Sequence, residues 1–390
     1  MKSKHSLVLV LLLGMAPWGA LLAQTCMERA TKCISEPGGG DCSSIGKWNA
    51  ASSTCTLTGD LTGESIQIAG DGITLDGGGH TLKSASVGGR NQLIGVYAEE
   101  RTGVTITNLT IREFQAGIQL LRCSGNKVTN NKMSGDGRVG IELLESNNNL
   151  ISNNVLSKAG DGINVKQSAE NTLEGNLAES NRDSGIILNA SSFGNTVTRN
   201  TARLNSGGIA VAGASRRNTV SENEVTGNTR LGIALYFSAN DNVVTNNRIA
   251  DNAVGVADGA GVLLMQASGN RLSNNTVANN SRGIWLSYPD AATFPGGGNE
   301  VYNNNFIGNA TQALITGWRS TPDSFSKQAP IGGNFWGNWT TPDANGDGVV
   351  DSPYLISGGG DNLPWRVKDG WNVPPDTAPP DKVAASPEQR

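Results

Sequence analysis

The chain has 390 residues, of which 16% are charged, 5% aromatic and 51 are Gly, with a formal net charge of −4. So Gly- and Asn-rich a chain does not read as helical, and no run or stripe of Lys and Arg marks a nucleic-acid surface. The small net charge still leaves room for a local basic patch facing an acidic polysaccharide.

Residues 1–23 read as a secretory signal: Lys2 and Lys4 open it, Leu7 to Leu13 form the apolar stretch, and cleavage is expected after Ala23. That stretch is too short to span a bilayer, and no later one approaches the length. The expected product is exported, to the periplasm or beyond the cell, without membrane insertion. Residues 24–55 hold Cys26, Cys33, Cys42 and Cys55. In an oxidising compartment these make two disulfides, and all three pairings stay open. They would staple an N-terminal cap over the segment that begins at residue 56.

Residues 56–330 read as the repeat region, and between Gly95 and Ala313 the chain repeats itself about every 22 to 24 residues, the signature of a solenoid. A Gly-apolar step marks each repeat at Gly95, Gly117, Gly140, Gly162, Gly185, Gly208, Gly232, Gly261 and Gly283. Paired Asn residues follow, among them Asn126 and Asn131, Asn171 and Asn176, Asn195 and Asn200, and Asn218 and Asn223. Within a repeat the apolar positions, such as Ile163, Val165, Leu173 and Leu177, lie mostly two or four apart, which indicates strands. Three short strands per repeat predict an all-β, right-handed parallel β-helix of about nine or ten coils, each adding about 4.8 Å. Six residues after the Gly stand Cys123, Ser146, Ser168, Ser191, Ala214, Ser238 and Ala267, a column of small residues expected in a tight corner. Cys123 is then a buried free thiol, and the Asn columns are turn residues bonding from coil to coil. The period breaks near Ala253–Gly259 and Pro289–Gly298, and insertions in a solenoid become loops on one face.

Residues 331–366 leave the period and form a small closing module. Within it Asp343, Asn345, Asp347 and Asp351 occupy positions one, three, five and nine of a loop with Gly348 at six. Val349 offers a carbonyl at seven, so the spacing suits a structural calcium ion, although Tyr354 replaces the usual acid at twelve. Asp361 is the acid that could fold back to complete it. Copper lacks support: the mature chain offers His80, Met27, Met133 and Met265, scattered along the sequence. Residues 367–390 form a Pro-rich tail expected to be disordered.

Two stretches carry a family resemblance. Leu75-Asp76-Gly77-Gly78-Gly79-His80-Thr81-Leu82 resembles the first-coil motif of pectin-lyase-like β-helix proteins. Gly333-Asn334-Phe335-Trp336, the Asp343–Tyr354 segment and Asp361-Asn362-Leu363-Pro364-Trp365 are similar, in that order, to the closing module of the NosD-like periplasmic β-helix family. The resemblance implies the fold, and it raises an accessory role in maturing a periplasmic metalloenzyme through a protein partner. The clustered Asp pairs with His of polygalacturonases and the Asp-Pro-His pattern of uronate epimerases are missing from the middle coils.

Two sets of outward residues remain as functional candidates. Glu142, Asp161, Lys166, Arg138, Arg182 and Asp183 form the one dense ionisable patch of the middle coils, suited to a lyase base with cations or, more blandly, to a solvated face. Tyr236, Phe237, Trp285 and Tyr288 decorate the later coils and suit sugar stacking. The favoured function is recognition or processing of an extracellular, acidic polysaccharide, by a lyase or related enzyme if it is catalytic at all. The alternatives are the NosD-like accessory role and a structural or adhesion protein.

Overall fold

A computed structural model describes residues 30–85, 94–135, 137–289 and 296–373. The signal segment, Cys26, Met27 and residues 374–390 of the Pro-rich tail lie outside these residues, whereas the start of that tail is ordered, with a 3-10 turn at Gly370–Asn372 and Asp369 hydrogen-bonded to Asn305. Short strands gather into three parallel sheets of twelve strands each, so the chain winds as a parallel β-helix. One coil shows the plan: Asp161–Lys166 lies in the first sheet, Thr172–Glu174 in the second and Leu177–Glu179 in the third. The next coil begins at Ser184–Asn189, with Ile163 paired to Ile186 and Val165 to Leu188. Inward residues of each coil stack on those of the next, and Ile163, Val165 and Leu173 are fully buried. In the third strand the core residue is Ala178 and not Leu177, which is half-buried.

The stack is longer than the Gly steps suggest. Those nine steps mark nine strands of the first sheet, and Lys32–Ile34, Ile66–Ile68 and Thr311–Gly317 extend it without a Gly-apolar step. Gly serves here for close approach: a Cβ on Gly162 would stand 2.4 Å from the carbonyl oxygen of Gly185.

The Asn columns are buried ladders. The Asn176 backbone N–H and side-chain Nδ2 both donate to Asn200 Oδ1, at 2.9 and 3.0 Å, and Asn200 repeats the pair onto Asn223. A parallel ladder runs through Asn126, Asn149, Asn171 and Asn195. A third, through Asn181, Asn205, Asn228, Asn252, Asn280 and Asn309, lies beyond the two paired columns. Each ladder ends on a different acceptor: Asp323, Asp361 or Gln312. The small-residue column also needs correcting. Ser191 and Ala214 are exposed, and the buried members are Ser192, Ser215 and Ala239, because those coils carry one extra residue before the corner. Cys123 holds its place as a buried free thiol whose pKa burial raises.

Cys42 is bonded to Cys55 at the N-terminal end, and Cys33 is disulfide-bonded as well. At the other end Phe306, Trp336 and Tyr354 stack, with ring centroids 4.5 and 4.2 Å apart.

Candidate functional site

The outward face of the first sheet changes from coil to coil. One column of paired residues runs Gln119, Glu142, Asn164, Ile187, Ala210, Ala234, Leu263 and Trp285. Its first part is polar and its second apolar, and the two parts form adjoining halves of one candidate site.

In the polar half Glu142 is only 3% exposed. The Arg138 guanidinium donates to both its oxygens at 2.5 and 2.6 Å, Gln119 Nε2 donates as well, and Lys166 Nζ lies 3.4 Å away. Burial opposes ionisation, yet these partners outweigh it and hold the carboxyl at about 2. Glu142 is thus an ionised anchor for two cations and a poor proton acceptor. Asp161 differs. Burial raises its pKa, against hydrogen bonds from the Ser184 N–H at 3.1 Å and Asn164 Nδ2 at 2.7 Å. Arg182 is exposed and donates to the Gly137 carbonyl, while exposed Asp183 sits on the rim of the apolar half. The fold therefore joins Arg138, Glu142 and Lys166 in one network, sets Asp161 beside it, and leaves Arg182 apart.

The apolar half is a groove of about 390 Å³. Ala210 and Ala234 make its floor, with the larger Leu263 of the same column beside them. Tyr236, Phe237, Met265 and Trp285 wall it, and Asp183, Arg230 and Asp258 rim it. Asp258 comes from the first break in the period, so that insertion builds the groove. Tyr236 and Phe237 meet edge to face at 5.1 Å. Trp285 donates through Nε1 to Thr316 Oγ1 at 2.9 Å and carries the Arg282 guanidinium 4.5 Å above its ring. Burial, and then the Asp161 charge, push the Tyr236 hydroxyl pKa up. Tyr288 does not belong to the groove. It is 1% exposed, packs against Gly296 of the second break, and donates to Asp323, which also ends an Asn ladder.

In the closing module the calcium-like loop is tightly turned. Asp343 accepts from the N–H groups of Gly346 and Gly348 at 2.8 and 3.0 Å, Asn345 from Asp347, Asp347 from Val349, and Asp351 from Ala344. Among the described residues no group of three or more His, Cys, Asp or Glu is arranged to hold a metal. Asp361 does not fold back onto the loop: it is fully buried, accepting from Asn334 N–H, Trp336 Nε1 and Leu363 N–H. The copper candidates are not brought together: Met133 is in the core, Met265 in the groove wall, and His80 beside Asp60 at 3.4 Å.

Comparison with known proteins agrees with this architecture. The model of the right-handed beta helix region matches residues 159–306, and that of the periplasmic copper-binding protein NosD matches residues 49–212. The chain is a right-handed parallel β-helix protein. Within that class, the NosD match covers the earlier coils, whereas the NosD-like resemblance of the closing module lies beyond it. Among solved structures, the A-module of the Azotobacter vinelandii mannuronan C-5 epimerase AlgE6 is similar over 71% of this chain and 81% of its own, at 18% identity and a TM-score of 0.51. A double mutant of the periplasmic alginate epimerase AlgG is similar over 75% and 82%, at 14% identity and 0.51. At such identities the likeness establishes the fold alone. No curated protein matches the sequence, and among the described residues no helix is long and apolar enough to cross a membrane.

Proposed function

We propose that the protein is exported and recognises or processes an extracellular polysaccharide laid along the outward face of the first sheet. The observation that carries this reading is the alanine-floored groove with Tyr236 and Trp285 in its walls. Aromatic faces stack on sugar rings, and a groove open along the stack admits a chain as well as a single sugar. The names of the two solved neighbours, both epimerases of alginate or mannuronan, support a polysaccharide as the class to test. For any processing step, Asp161 is the candidate proton acceptor, since Glu142 is held ionised by Arg138 and Lys166. Calorimetric titration with oligosaccharides tests the binding, and absorbance of unsaturated product after incubation with pectate and alginate tests lyase activity. Failure of every glycan to bind would remove this reading.

A second reading is favoured by the NosD match over residues 49–212: an accessory protein that helps a periplasmic metalloenzyme mature through contact with it. Its test is whether deleting the gene lowers the metal content of such an enzyme. In either case we propose a structural calcium ion held by Asp343, Asn345, Asp347, the Val349 carbonyl and Asp351. Chelation should then lower the melting temperature of the native chain and leave that of Asp347→Ala unchanged.

A further inference from the structure

The groove presents more negative than positive groups to its contents. Two rim carboxylates, Asp183 and Asp258, stand against one guanidinium, Arg230, and neither carboxylate has an ion-pair partner among the described residues. The other cations nearby are engaged: Arg138 and Lys166 on Glu142, Arg182 on the Gly137 carbonyl, and Arg282 over the Trp285 ring.

We infer that the groove takes a glycan bearing positively charged amino groups, an amino-sugar chain, rather than a polyuronate. The inference rests on the groove being the glycan site proposed above. Sugar rings lie against Tyr236 and Trp285, whose faces also attract ammonium groups. The ammonium groups meet Asp183 and Asp258. An acidic chain, the class expected from the sequence, would set its carboxylates against Asp183 and Asp258.

The test is calorimetric titration of the full chain with a glucosamine oligomer, its N-acetylated counterpart and an oligouronate of equal length, at low salt. The glucosamine oligomer should bind at least about tenfold tighter than either other, and added salt should weaken it. The double substitution Asp183→Asn with Asp258→Asn should remove about tenfold of that affinity, the equivalent of ~1.4 kcal/mol. The melting temperature of that variant shows whether it is folded, and both changes are at the rim. Equal or tighter binding of the oligouronate or the N-acetylated oligomer, abolished by Trp285→Ala, would overturn the amino-sugar inference and keep the groove as a glycan site. So would glucosamine binding that ignores the two Asp substitutions. Binding of none of the three would defeat the groove reading itself, and this inference with it.

Discussion

The Asn ladders and the outward column of the first sheet run through the same coils, side by side, and treat sequence in opposite ways. In the ladder from Asn131 to Asn334 each coil supplies the same residue, because each Oδ1 must accept from the coil before and each Nδ2 must donate onward. In the outward column no such constraint acts, and the residue passes from Glu142 through Ala210 and Ala234 to Trp285. Repetition therefore marks what holds the stack together. Departure from it marks positions that this constraint leaves free to vary.

Substitutions should respect that division. The largest effect is expected for Asn200→Ala, which strands the Asn176 N–H in the core, leaves Asn176 Nδ2 only its bond to the Ile151 carbonyl, and breaks the bond to Asn223. Urea denaturation should show a loss of roughly 3–5 kcal/mol. A cost below about 1 kcal/mol would mean that the ladder is replaceable. Next comes the cap: Cys42→Ser opens a bridge with a sequence separation of 13. It should cost about 2–4 kcal/mol if the cap folds as one unit with the coils.

Two carboxylates then sharpen the contrast through pH. Burial raises Asp361 from 3.8 to about 6, so the folded chain holds this proton more tightly than the unfolded one. Its contribution is present below about pH 4 and lost as the pH rises through about 6, up to roughly 2–3 kcal/mol. Asp361→Asn, which continues the ladder with a neutral acceptor, should flatten that segment of a stability–pH profile. Glu142 has the opposite sign. Its pKa falls from 4.5 to about 2, so its contribution is present above about pH 4.5 and lost as the pH falls through about 2. With Arg138 half-exposed to solvent, roughly 1–2 kcal/mol is expected. Glu142→Gln should abolish the acid limb and leave the Asp361 limb in place.

Much of the scaffold was legible because stacking is a local rule. The Gly steps, two Asn columns and the buried Cys123 follow from spacing along the chain, and the third Asn ladder was written there too, five residues beyond the second. The slip from Ser191 to Ser192 was hidden because one extra residue before a corner leaves the later Asn spacing intact. The outward face was harder to read. Register alone brought Glu142 beside Asn164 and Lys166 beside Leu144, but the roles of the charges depend on which side chain reaches which. Arg138 reaches Glu142 and so makes it an anchor, leaving Asp161 as the perturbed acid. Tyr288 looked like a neighbour of Trp285 and is instead buried by an insertion and by Asp323, residues that no coil periodicity connects to it. The ends of the ladders were equally invisible, since Gln312 lies in the last strand of the first sheet, Asp323 in an irregular segment and Asp361 in a short strand of the closing module.

The central claim is that departures from the repeat on the first sheet form a glycan site without supporting the fold. Its most direct test is calorimetric titration of Tyr236→Ala and Trp285→Ala with the best-binding oligosaccharide, alongside their melting curves. Binding should fall by about tenfold or more in each, for a stability loss of no more than about 1–2 kcal/mol. Unchanged affinity in two folded variants would contradict the claim.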